Sequence, residues 1–218
     1  MIHRLEIDSI QLEFGLRKIL SDIYLKCETG KITGILGRNG QGKTCLMNII
    51  YGSLQTTSKS IRFDNVPVID AFKRSDLLRY LPQFHFIPPS LTLKRIFYDF
   101  ELNFSEFMFY FPELEKKYKA SLRTLPGGQR RVIEVYVIIK SKSQFAMLDE
   151  PFTHLSPLHM ENIKEIMLAE KTHKGFLITD HMYRQIVDIC DDLYVLTNGK
   201  AHLTKSIIDI ETLGYARL

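Results

Sequence analysis

Apolar and polar residues alternate from the start of the chain: Leu5 and Ile7, then Ile10, Leu12 and Phe14. A period of two predicts a strand with one buried face, and the slip at Asp8-Ser9 predicts a bulge. Alternation resumes at Ile23, Leu25 and Cys27 and leads into a predicted turn, Glu28-Thr29-Gly30-Lys31. Ile32 to Leu36 then reads as a buried strand, and Thr44 to Tyr51 as a helix ending at Gly52. Ser60 to Phe63 is a further short strand, followed by a turn at Asn65-Val66-Pro67. An antiparallel β-layer is therefore expected on both sides, in sequence, of the strand and helix at 32–51.

The second half reads as α/β. An apolar helix is expected over Val132 to Ile139 and a buried strand over Phe145 to Glu150. Pro157 to Lys171 gives an amphipathic helix, and Phe176 to Thr179 a buried strand ending in Asp180-His181. Leu193 to Leu203 predicts a hairpin turning at Asn198-Gly199, and Ile207 to Leu218 a terminal helix. Between the halves, Phe84 to Phe111 holds ten of the 24 Phe and Tyr residues, so its composition sets it apart. Helices are expected there over Thr92 to Glu101 and Ser105 to Tyr110. A small helical layer cannot bury that many rings deeply, so some form its core and others face outward as a partner surface.

Composition narrows the class. At 218 residues the chain suits one α/β domain with a subdomain. A net charge of +4 is mild and gives no reason to expect nucleic acid. Three cysteines without a C-x-x-C pair suggest reduced thiols in the cytosol. No apolar run approaches the ~20 residues of a membrane span. The start, MIHRLEIDSI, has no secretory h-region.

The chemistry centres on Gly37-Arg38-Asn39-Gly40-Gln41-Gly42-Lys43-Thr44, which fits G-x-x-x-x-G-K-[ST]. Glycines let successive backbone N–H groups turn toward phosphate oxygens, and the following helix aims its positive end at the same anion. Lys43 is placed to reach the β- and γ-phosphates, and the Thr44 hydroxyl to ligate Mg²⁺. Asp149, ending an apolar strand, falls at the sheet edge where α/β proteins bind ligands and is positioned to hold Mg²⁺. Glu150 would polarise an attacking water, and His181 ends a strand expected beside that of Asp149.

This series resembles the ATP-binding subunits of ABC transporters over nearly the whole chain. The resemblance implies a P-loop NTPase with a RecA-like core, an antiparallel β-subdomain and an inserted helical subdomain, at approximately 84–135 of a single ATP-binding domain, 1–218. Phe14 falls where the family stacks an aromatic on adenine. Gln83 matches the glutamine that ligates Mg²⁺ and senses the membrane domain. Leu125 to Gln129 matches Leu-Ser-Gly-Gly-Gln, so Gly127, Gly128 and Gln129 are implied to cap the γ-phosphate of ATP on the opposite subunit. Gly37 to Thr44 is Walker A, Asp149 ends Walker B, Glu150 is the catalytic glutamate and His181 the switch histidine. The implied protein hydrolyses ATP with Mg²⁺, dimerises with itself or another ATP-binding subunit, and works at the cytoplasmic face of a membrane on integral permease subunits.

Two positions depart from the family pattern. Pro126 replaces Ser, removing a hydroxyl and an N–H; one lost bond to a charged group costs about 1.5–3 kcal/mol. Made only in the transition state, such a bond is worth about 10- to 150-fold in rate, so a slowed ATPase is expected. Ser156 stands where the family carries an aspartate in a loop that crosses the dimer interface. A soluble ABC-type ATPase acting in assembly or regulation is the alternative.

Overall fold

The computed structural model describes residues 1–204 and 209–210. Two sheets carry the fold. The first has the order β2-β1-β4-β5 and comprises β1 (Arg4–Phe14), β2 (Arg17–Glu28), β4 (Ser58–Phe63) and β5 (Val66–Pro67), all antiparallel. The slip expected at Asp8-Ser9 is a break in register between Ile7 and Ile10, with Ser9 at φ 55°. One turn is corrected: it lies at Asp64-Asn65, both at positive φ, while Val66-Pro67 pairs back on β4. Asn tolerates that left-handed backbone, and Pro is admitted on an edge strand.

The second sheet has the order β10-β9-β3-β8-β7-β6. Its strands are β3 (Ile32–Leu36), β6 (Leu78–Leu81), β7 (Phe145–Asp149), β8 (Gly175–Asp180), β9 (Asp192–Thr197) and β10 (Lys200–Thr204). All neighbours run parallel except the β9–β10 hairpin, which turns at Asn198 (φ 49°) and Gly199 (φ 74°) as the Asn-Gly pair predicts. β8 lies between β3 and β7, so the expected adjacency of the strands ending at Asp149 and Asp180 holds.

Side-chain alternation assigns the two faces of this sheet to two cores. Phe145, Met147 and Leu177 face one way, toward α1 (Lys43–Tyr51) and the antiparallel sheet. Ala146, Leu148, Phe176 and Ile178 face the other, toward α4 (Gly127–Lys140), α5 (Pro157–Glu170) and α6 (Tyr183–Val187). α4 begins five residues before the predicted start, because Gly127 and Gly128 are helical although their propensity is poor.

Between β6 and α4 lie α2 (Leu93–Asp99) and α3 (Phe104–Tyr110), capped by Thr92 and Asn103, whose side chains accept backbone N–H bonds. The aromatic run divides as expected. Phe97, Phe107 and Phe111 are buried and meet Tyr136 of α4, with Phe107 and Tyr136 edge to face at 4.8 Å. Phe84, Tyr98 and Phe109 are 71%, 78% and 78% exposed. No helix among the described residues is long and apolar enough to cross a membrane. The expected terminal helix over Ile207 to Leu218 lies outside the described residues, apart from Asp209 and Ile210, which are helical.

Candidate functional site

β3 delivers the chain into the loop at 37–42, and α1 carries it away. The loop needs glycine for two reasons at Gly42: its φ is 95°, and a Cβ would lie 2.8 Å from Ile19 Cγ2. Lys43 opens α1 with its ammonium folded back over the loop, donating to the carbonyls of Gly37 (2.6 Å) and Arg38 (3.4 Å). It is 5% exposed, and burial lowers its pKa, an effect opposed by Glu150, Asp149 and Asp180. The loop carbonyls and three carboxylates thus hold a desolvated cation over the Gly-rich turn.

Above it opens a cavity of about 460 Å³, lined by Phe14, Asn39, Gly40, Gly42, Lys43, Thr44, Gln83 and Glu150 of the predicted residues. Arg17, Ile19 and Cys45 line it too, although nothing in their spacing marked them. Phe14, the last residue of β1, is 55% exposed at the wall.

At the end of β7, Asp149 is fully buried. Its Oδ1 accepts from Thr179 Oγ1 (2.6 Å) and Gln83 Nε2 (3.4 Å), and its Oδ2 from Tyr80 OH (3.4 Å). Glu150 follows at φ 49°, left-handed backbone that an L-residue adopts at a cost and that occurs most at functional sites. Its carboxylate lies between Lys43 Nζ (3.9 Å) and His181 Nδ1 (3.5 Å). Asp180 is buried beside them with Oδ2 unpartnered; burial raises its pKa. Hydroxyl, amide and carboxylate oxygens of Thr44, Gln83 and Asp149 suit Mg²⁺, a hard cation that binds through one or two carboxylates plus phosphate. Among the described residues, no cluster of three or more His, Cys, Asp or Glu offers a competing all-protein site.

Sequence reading missed Arg131. Its guanidinium, 3% exposed on α4, donates to the carbonyls of Pro82 (2.7 Å), Asp149 (2.9 Å) and Glu150 (3.1 Å). It ties α4 to both carboxylate-bearing and glutamine-bearing segments. Bonds to backbone carbonyls leave no pattern in sequence, so no signal marked it.

Gly127, Gly128 and Gln129 do not line the cavity. They form the exposed and half-buried start of α4, where a Cβ on Gly128 would lie 2.8 Å from the His154 carbonyl. Pro126 is the N-cap of α4, one position before the first turn, and supplies no side-chain cap. Ser156 is the N-cap of α5, its hydroxyl accepting from His159 N at 3.3 Å.

The family model described as ABC transporter matches residues 20–153. The lipopolysaccharide export system ATP-binding protein LptB of Haemophilus influenzae is 27% identical over 88% of this chain and 86% of its own. The high-affinity branched-chain amino acid transport ATP-binding protein BraG of Pseudomonas aeruginosa is 26% identical over 90% of each. Among solved structures, an ATP-binding subunit of an ABC transporter superposes with a TM-score of 0.79 over 97% of this chain and 93% of its own, at 20% identity. A bacterial Atm1-family ABC exporter with ATP bound gives 0.81 at 16% identity over 96% of this chain and 40% of its own. These structures establish the fold, a P-loop NTPase cassette. With a family match over more than half its length, the chain belongs to the ABC transporter family, among its ATP-binding subunits.

Proposed function

We propose that this chain is the ATP-hydrolysing motor of a membrane transporter, with residues 1–218 as one ATP-binding domain and the segment at approximately 84–135 as its inserted helical subdomain. The observation that carries the reading is the placement of Glu150 between Lys43 and His181 at the wall of a cavity floored by the Gly-rich loop. The relatives named above serve unlike cargos, lipopolysaccharide in one and branched-chain amino acids in the other. What they share is the motor.

In this reading Phe14 stacks on adenine, while Gly37, Arg38, Asn39, Gly40, Gln41 and Gly42 present backbone N–H groups to the phosphates. Lys43 leaves the loop carbonyls for the β- and γ-phosphates. Thr44, Gln83 and Asp149 hold Mg²⁺, which when bound neutralises charge on the phosphates. Glu150 accepts a proton from the attacking water, and His181 orients Glu150 and the γ-phosphate. Gly127, Gly128 and Gln129 serve the ATP of a second subunit; they lie outside the lining of this chain's own cavity. Closure of two subunits around two ATP, and reopening after hydrolysis, moves integral permease subunits docked on the helical segment. The protein then sits peripherally at the cytoplasmic face of the membrane.

Phosphate release at saturating Mg-ATP tests the reading. Glu150→Gln is expected to lose about 10²- to 10⁴-fold in turnover while still binding ATP, the range for one general base. Lys43→Ala is expected to weaken nucleotide binding as well. Turnover left intact by Glu150→Gln would remove Glu150 from the catalytic role.

A further inference from the structure

The cavity over the Gly-rich loop has two ends. The loop, Lys43 and Glu150 line the deep end, and Phe14, Arg17 and Ile19 stand toward the mouth. The β1–β2 hairpin sets that order. Ile19 packs on the loop, its Cγ2 2.8 Å from where a Cβ on Gly42 would lie. Arg17 comes two residues before Ile19 on β2, about 6.6 Å along the strand, and is the register partner of Phe14. The arginine therefore shares the end of the cavity where the aromatic ring stands. Arg17 is exposed and has no hydrogen bond, ion pair or ring partner among the described residues. Lys18 beside it differs, being paired with Glu13 at 3.7 Å.

A base stacked on Phe14 turns its edge to the groups around it. Stacking itself does not choose among bases, because every base has a π-face. The choice falls to polar side chains at this end, and of the three residues there only Arg17 has one. A guanidinium carries donors and no acceptor. Guanine offers it two neighbouring acceptors, O6 and N7, whereas adenine offers N7 beside an amino group that is itself a donor. Neither Phe14 nor Ile19 can accept from that amino group. Glu150, the carboxylate in the lining, lies at the deep end between Lys43 and His181.

We propose that this cavity takes GTP as a second substrate, with guanine stacked on Phe14 and its O6 and N7 accepting from the Arg17 guanidinium. The inference rests on the proposed function, which puts a nucleoside triphosphate here, and adds the choice of base to it. The reaction is that of ATP: water bonds to the γ-phosphorus, the bond to the β,γ-bridging oxygen breaks, and GDP, phosphate and a proton leave. The loop N–H groups and Lys43 meet only phosphates and so treat the two triphosphates alike.

The test is calorimetric titration of the full chain with the magnesium complexes of ADP, GDP and 7-deaza-GDP, together with phosphate release from ATP and GTP. GDP is expected to bind within about 10-fold of ADP, and GTP to release phosphate. A good bidentate contact discriminates about 5- to 150-fold, so Arg17→Met should weaken GDP by that factor beyond any loss for ADP. The wild-type chain should bind 7-deaza-GDP, which lacks N7, more weakly than GDP, a comparison that needs no variant. Three results would each overturn the proposal. The first is no binding of GDP at millimolar concentration where ADP binds. The second is an equal loss of ADP and GDP in Arg17→Met, which would put the guanidinium on the shared ribose or phosphates. The third is 7-deaza-GDP binding as tightly as GDP. If ADP does not bind either, the proposed function falls together with the inference.

Discussion

Pro126 separates two properties that a serine there would join. As the N-cap of α4 it interrupts no intrahelical bond, since the N-cap N–H has no helical acceptor, so the fold accepts it. It lacks the hydroxyl that would cap the helix and the N–H and hydroxyl that would face ATP on a second subunit. Pro126→Ser is therefore expected to raise turnover at saturating ATP about 10- to 150-fold, the worth of one charged hydrogen bond. Helix stability should rise by about 0.5–2 kcal/mol, read by urea denaturation. Unchanged turnover with raised stability would make the position purely structural. Ser156 differs in kind, because its hydroxyl still caps α5 through His159 N. Ser156→Ala should cost about 1 kcal/mol of stability.

Among the elements, α4 would link the two halves of the proposed site. Its first turn carries Gly127, Gly128 and Gln129, Arg131 grips the carbonyls around Asp149, and its last carbonyls are held by a buried lysine. Lys174 Nζ donates to Ile139 O and Ser141 O, each at 2.6 Å. Burial pushes the Lys174 ammonium down from 10.5 to about 8. Between those pH values the unfolded chain binds a proton that the folded chain does not, so stability rises with pH across that window. Against a Lys174→Met variant, which lacks the group, the wild type should gain roughly 1–3 kcal/mol from pH 8 to 10.5. The aromatic segment gives a paired prediction. Phe107→Ala should cost about 3–5 kcal/mol of stability, because Phe107 is fully buried against Phe97 and Tyr136. Phe109→Ser, 78% exposed, should spare stability and ATP binding yet weaken co-purification with the permease. The elements that sequence revealed are those with strong local punctuation. β3 and α1 lie between glycines, and the β9–β10 hairpin turns on Asn-Gly. β6 was missed because Leu78–Leu81 is four residues long on a sheet edge, and α6 because five residues hold little periodicity. The same divide runs through the site. Lys43 and Thr44 open α1, and Asp149 ends β7 with Glu150 next, all within recognisable strings. Arg131, Tyr80 and Thr179 act through bonds spanning 18 residues or more, which only the folded sheet brings together.

For the whole molecule, the proposed function gives one chain two half-sites that meet only across a pair of subunits. The cavity is lined by the Gly-rich loop, Glu150 and Gln83, with Asp149 buried behind and bonded to Gln83, while Gly127 to Gln129 lie outside its lining and open to solvent at Gly127. In the proposed function such a cassette would close head to tail, and hydrolysis would reopen it. The direct test is light scattering of Glu150→Gln on a sizing column with and without Mg-ATP, because blocked hydrolysis traps the closed state. A monomer of 25.4 kDa is expected without nucleotide and a dimer of twice that mass with it. A protein that binds ATP at saturation and stays monomeric would contradict self-closure.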